Sequence, residues 1–148
     1  MTNVYLMVGV PGSGKSYWIK QNVPNAVVCS ADHFFTGEDG VYRWFPDGLY
    51  PAHEACFEKY QKALLDGLKD VVVDNTNTKT KFLRRYVQLA NKHGITPIVV
   101  HVKCDPVVAA ARNTHGVPAE TVAKMHDEIE AMFSRPFPPH EGWGKVIL

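Results

Sequence analysis

The sequence has few cysteines, no long apolar run, no excess of either charge, and no repeat or low-complexity tract. Cys29, Cys56 and Cys104 are odd in number and widely spaced, with no CxxC pair and no Cys/His zinc pattern. They read as three reduced thiols, which points to a reducing compartment. No apolar stretch approaches the roughly 20 residues that cross a bilayer. The run 4–10 leads straight into a glycine-rich turn, so the amino terminus lacks a secretory pattern. A cytoplasmic protein with no membrane partner is expected. A net charge of +1 lacks the basic excess of proteins that grip long nucleic acid, so any nucleic-acid contact must be local.

What is present fits a single globular domain over residues 1–148, with 45% apolar and 21% charged residues. Short apolar runs at 5–8, 26–29, 71–73 and 98–102 read as buried strands, and 146–148 as a fifth. Helical segments alternate with them. Residues 15–21 suit a short helix, and Pro51 fits the first turn of a longer one. Cys56, Tyr60, Ala63, Leu64 and Leu68 recur at helical spacing in that second helix. Residues 79–92 suit an amphipathic helix with Phe82, Tyr86 and Leu89 on one face, closed by His93-Gly94. Residues 106–113 suit a short helix. Val117, Val122, Met125, Ile129 and Met132 mark a last one, stopped by Pro136, Pro138 and Pro139. Thr36 to Gly48 reads as a loop. Continuous apolar strands alternating with helices predict an α/β fold: a parallel sheet of about five strands, covered on both faces, with ligands at the strands' carboxyl ends.

Gly9-Val10-Pro11-Gly12-Ser13-Gly14-Lys15-Ser16 matches G-x-x-x-x-G-K-[ST] at every fixed position, between a predicted strand and a predicted helix. The glycines let several backbone N–H groups converge into an anion cradle. Pro11 and Ser13 complete the loop. Lys15 can reach the β- and γ-phosphates of a nucleotide, and the Ser16 hydroxyl can ligate Mg²⁺. Asp74 ends the third strand, where a carboxylate can join the Mg²⁺ shell or cap the next turn. Asp32 follows the second strand, where it can act as a general base or as a helix N-cap. His33 is a rival base. Arg112, before Asn113-Thr114-His115-Gly116, suits either a mobile arginine closing over phosphoryl oxygens or a solvated helix end.

With Gly9–Ser16, Asp32, Asp74-Asn75-Thr76-Asn77 and Arg112-Asn113 in this order, the chain resembles the polynucleotide 5′-kinase-like P-loop kinases. That group includes the kinase half of the bacteriophage polynucleotide kinase-phosphatase and kinase-like domains of eukaryotic ubiquitin-ligase-binding proteins. The resemblance covers about residues 3–133. It implies an adenylate-kinase-like P-loop NTPase core with a short lid, and ATP- and Mg²⁺-dependent phosphorylation of a hydroxyl. It places Lys15 and Ser16 on ATP and Mg²⁺, Asp32 as general base, Asp74 as an active-site carboxylate and Arg112 as a lid arginine. The resemblance also admits a phage protein acting in a host cytoplasm. Two positions depart from the group. The arginine it carries three residues after the base is Phe35 here, with Arg43 as a candidate replacement. A second lid arginine has no counterpart.

On the acceptor side, Tyr42, Trp44 and Phe45 could stack on a base or fold their loop onto the core. Asn75 and Thr76 flank the same site. Lys79, Lys81, Arg84 and Arg85 form a local basic run, suited to a nucleic-acid backbone or to a solvated helix face. The expected acceptor is the 5′-hydroxyl of DNA or RNA. A hydroxylated base in DNA, a nucleoside, nucleotide or sugar, and a non-catalytic nucleotide-binding module stay open beside it.

Overall fold

Short β-branched runs set the frame, because strands buried on both faces need apolar side chains at every position. The computed structural model describes residues 1–144 and 146–147. In chain order it contains β1 (Asn3–Val8), α1 (Lys15–Asn22), β2 (Val27–Cys29), α2 (Asp32–Phe35), a 3₁₀ turn (Pro46–Gly48) and α3 (Leu49–Leu65). There follow β3 (Asp70–Val73), α4 (Thr80–Lys92), β4 (Ile98–His101), α5 (Pro106–Arg112), α6 (Ala119–Phe133) and β5 (Val146–Ile147). The strands form one parallel sheet of five in the order β2-β3-β1-β4-β5. Leu148, expected at the end of the fifth strand, lies outside the described residues.

Alternation along the strands divides the core. Leu6, Val71, Val73 and Val99 face the larger cluster, which α3, α4 and α6 close with Tyr60, Leu83, Tyr86, Val87 and Ile129. Met7, Val72 and Val100 face the other side, where α1 covers them with Ile19 and Trp18. Helices thus lie on both faces. Asp105 caps α5, its carboxylate accepting from the backbone N–H of Val107 at 2.8 Å, and Pro106 takes the first helical position.

Two sequence expectations shift. Leu68 is not on the face of α3, because the helix ends at Leu65 and Gly67 turns the chain at φ 65°. The buried face of α4 is Leu83, Tyr86, Val87 and Ala90, while Phe82 is 45% exposed. Residues 36–48 are a loop as expected, but they carry the 3₁₀ turn and an antiparallel bridge between Thr36 and Tyr42.

Candidate active site

The carboxyl ends of β1, β2 and β3 meet at one edge of the sheet, and the loops leaving them are tied together. The backbone N–H of Gly9 donates to the Thr76 carbonyl at 3.1 Å, and that of Asp74 to the Cys29 carbonyl at 2.8 Å. Asn77, buried with φ 49°, donates from its side chain to the Met7 carbonyl at 2.8 Å. The N–H of Ala31 donates to the Asn75 side chain at 2.9 Å. Asn75 therefore holds the start of α2 in place.

The loop between β1 and α1 is the expected phosphate cradle. Gly12 and Gly14 sit at φ 82° and 108°, where a side chain would be strained. At Gly12 a Cβ would also collide with the carbonyl oxygen of Ala109, midway along α5. Glycine here lets the phosphate loop and the lid stem touch backbone to backbone. The Lys15 ammonium is held by the carbonyls of Gly9 (2.8 Å) and Val10 (3.1 Å). The Ser13 hydroxyl and one carboxylate oxygen of Asp74 are buried without a hydrogen-bond partner.

A cavity of about 790 Å³ opens over this loop. It is lined by Pro11, Gly12, Ser13, Gly14, Lys15, Ser16, Asp32, Asp74, Asn75, Thr76 and Arg112, all singled out in the sequence. Tyr42 and Trp44 line it as well. Gly9 lies behind the cradle, on the wall of a separate cavity. Phe45 turns onto Phe35, ring centroids 5.4 Å apart, and is not in the lining. His33 is exposed on α2 and also lies outside it.

Arg43 does not line the cavity either; both its terminal nitrogens are held by Asp39, at 3.2 and 2.8 Å. Phe35 is buried against Ala31 and Ala52, so this position packs the loop and carries no charge. Arg84 faces a different groove, lined from α4 and α6. Arg85 leaves the basic run altogether. It pairs with Glu54 at 3.0 Å and lies 4.2 Å over the Phe57 ring.

Sequence reasoning did not assign His115. Its Nδ1 lies 3.7 Å from the Asp32 carboxylate, and its ring packs tilted against Tyr42, with centroids 4.1 Å apart and planes at 49°. This joins the lid, α2 and the loop 36–48 above the cradle. No local signal announces a contact between segments so far apart in the chain.

Electrostatics tie the cluster together. Burial pushes Asp74 above the usual carboxylate range, opposed by the Lys15 charge and reinforced by Asp32. Burial pushes Lys15 below the usual ammonium range, opposed by Asp74 and Asp32. Both groups are drawn toward neutrality by desolvation, and bound charge would reverse that pull. Burial also lowers His53, helped by Arg85. It raises Tyr42, helped by Asp32.

The residues fit a nucleotide with Mg²⁺. The unpartnered Ser13 hydroxyl belongs to the cradle, and Asp74, one of whose buried carboxylate oxygens has no partner, lines the cavity together with Ser16. Among the described residues no group of three His, Cys, Asp or Glu could hold a metal.

Residues 4–136 match the family described as an AAA domain. NEDD4-binding protein 2 of Homo sapiens is 30% identical over 138 residues, which covers 88% of this chain and 8% of that protein. The chain thus spans a small part of that relative. A chain in the structure of the Pnkp1/Rnl/Hen1 RNA repair complex matches with TM-score 0.73 at 18% identity, over 90% of this chain and 45% of that one. A gluconokinase from Sinorhizobium meliloti 1021 matches with TM-score 0.55 at 17% identity, over 98% of this chain and 82% of that one. At these identities the likeness is one of fold, the α/β fold of P-loop kinase-like proteins. Among the described residues no helix is long and apolar enough to cross a membrane.

Proposed function

Because this chain belongs to the AAA domain family, we propose that it is an ATP-dependent phosphotransferase whose acceptor is a hydroxyl, foremost the 5′-hydroxyl of DNA or RNA. One observation carries the reading. A phosphate cradle, two carboxylates and an arginine from four separate segments line a single cavity of about 790 Å³. A protein that only held a nucleotide would have no use for a second, solvent-reachable carboxylate beside the cradle.

Each residue then has a role. The backbone of Gly12 to Ser16 and the Lys15 ammonium hold the phosphates and neutralise their charge. The Ser16 hydroxyl and Asp74 would hold Mg²⁺. Bound MgATP supplies the phosphoryl group and the charge that polarises it. The Asp32 side chain is 54% exposed and makes no hydrogen bond to the protein among the described residues. It is free to take the proton of the attacking hydroxyl. Arg112 ends α5 on the cavity wall, exposed and without an ion pair among the described residues, and closes over the phosphoryl oxygens. Tyr42 and Trp44 offer ring faces to an acceptor that carries a base.

A second reading is a kinase for a small hydroxyl compound, such as a nucleoside or sugar, or for a hydroxylated base in DNA. It draws on Phe35 and on the Arg43–Asp39 pair, which leave the acceptor side without a free guanidinium to grip a substrate phosphate.

The test is transfer from γ-labelled ATP with Mg²⁺ to 5′-hydroxyl DNA and RNA strands, with Asp32→Ala in parallel. Label on the 5′ end, reduced at least ~10²-fold in Asp32→Ala while ATP binding holds, is expected. Unchanged turnover in the variant would remove Asp32 as base. Transfer to small alcohols or to modified-base DNA but not to 5′ ends would favour the second reading. ATP binding without turnover on any acceptor would leave a binding module.

A further inference from the structure

The loop that brings Asp74 and Thr76 to the cavity also walls a second depression. A groove of about 640 Å³ runs between the start of α4 and the end of α6. Lys79, Lys81, Arg84, Arg135 and His140 surround it, and Phe137 is part of its apolar wall. One carboxylate, Glu128, faces it, and that carboxylate is paired with Lys79 at 3.3 Å. Among the described residues Lys81, Arg84 and Arg135 make no ion pair. The cluster is not the contiguous run of the sequence, since Arg85 turns away to Glu54 and Arg135 joins from beyond α6. Three unpaired cations around one depression are a strong local field in a chain whose net charge is +1.

We propose that this groove binds the sugar-phosphate backbone of a nucleic-acid strand whose hydroxyl enters the neighbouring cavity. The proposal rests on the nucleic-acid reading given above and adds where the body of that substrate lies. Charge complementarity selects a polyanion. The guanidinium forks of Arg84 and Arg135 match phosphate oxygens in pairs. The half-buried Phe137 ring suits the apolar side of a sugar or base.

Position supports the same occupant. Thr76 lines the cavity and Thr78 lines the groove, so at most about 7 Å of backbone separates their walls. That divider is fixed: Asn77 is anchored to the Met7 carbonyl and Thr78 is buried. A strand lying in the groove would therefore present its end beside Asp74 and Asn75.

The test is anisotropy of a short labelled single strand against the full chain over a salt series, with nucleotide binding measured on the same samples. The triple variant Lys81→Ala/Arg84→Ala/Arg135→Ala is compared with the unaltered chain. Each phosphate contact on a single strand adds about 0.7 to the logarithmic salt slope, so the variant's slope is expected to be shallower by about 2. Between about 50 and about 200 mM salt that is about 20-fold less change in affinity. Nucleotide binding should hold, which shows the variant folded. Should the triple variant fail to fold, Arg135→Ala alone should lower the slope by about 0.7.

Strand binding with the same slope in the variants overturns the groove and leaves the nucleic-acid acceptor standing. Nucleotide binding without strand binding in the unaltered chain overturns both. Displacement of the strand by polyglutamate of equal charge, at equal concentration, overturns the assignment in favour of an acidic protein partner.

Discussion

Acid should loosen this fold through one histidine. His101 ends β4, is 4% exposed, and stacks on Phe133 with ring centroids 4.3 Å apart. Its Nδ1 is buried with no partner. Burial, aided by the Lys103 charge, pushes its pKa down from 6.5 to about 4. The unfolded chain then takes up this proton near pH 6.5 and the folded chain only near pH 4. Between those values the unfolded state binds more protons, so stability falls as pH drops. A shift of this size corresponds to on the order of 3 kcal/mol in full, with about 2 kcal/mol lost by pH 4.5. His101→Leu keeps a similar volume and cannot be protonated. Urea unfolding at about pH 7 and pH 4.5 should show the variant losing about 2 kcal/mol less than the unaltered chain. All other ionisable groups are common to the two proteins, so their contributions drop out of the difference to first order. Equal losses would refute the assignment of this proton to His101.

Two further outcomes follow from the cradle. Lys15→Ala should weaken nucleotide binding by about 10- to 100-fold, the worth of a charge-assisted hydrogen bond to phosphate, while the far-ultraviolet spectrum stays the same. Titration with a fluorescent ATP analogue reads it, and undiminished affinity would exclude Lys15 from the phosphates. Gly12→Ala should cost about 1–2 kcal/mol for the left-handed backbone alone, a fall in Tm on the order of 5 °C. Because its Cβ would strike the Ala109 carbonyl, ATP affinity should fall with it. A variant with unaltered melting and affinity would show that the loop and α5 are not packed as described.

The cradle was legible in the sequence because its determinants are local: a fixed glycine-lysine spacing between an apolar run and a helix. The strands were legible for the same reason, with Val71, Val72 and Val73 each fully buried. The facing of α4 was not. Phe82, Tyr86 and Leu89 share one helical spacing and Leu83, Tyr86, Val87 and Ala90 another, and only packing against the sheet chooses between them. Arg43 illustrates a signal that lay close at hand, since the carboxylate that holds it is four residues earlier. The meeting of His115 with Asp32 and Tyr42, and of Arg135 with Arg84, depends on how distant segments fold back. Periodicity and motif spacing carry no information about such approaches.

The bonds that tie Gly9 to Thr76, Asp74 to Cys29, Ala31 to Asn75 and Asn77 to Met7 have a consequence for how such a protein diversifies. They weld the cradle, the buried carboxylate and the start of α2 to the ends of three strands. The loop 36–48 and the lid 113–117 hang outside that weld and are mostly exposed. On the proposed function, mutations accumulating in these two flaps can remodel the mouth and recruit a new acceptor, while the groups at the strand ends keep their alignment. Inheritance of the reaction and turnover of its clientele are thereby assigned to different parts of one small chain.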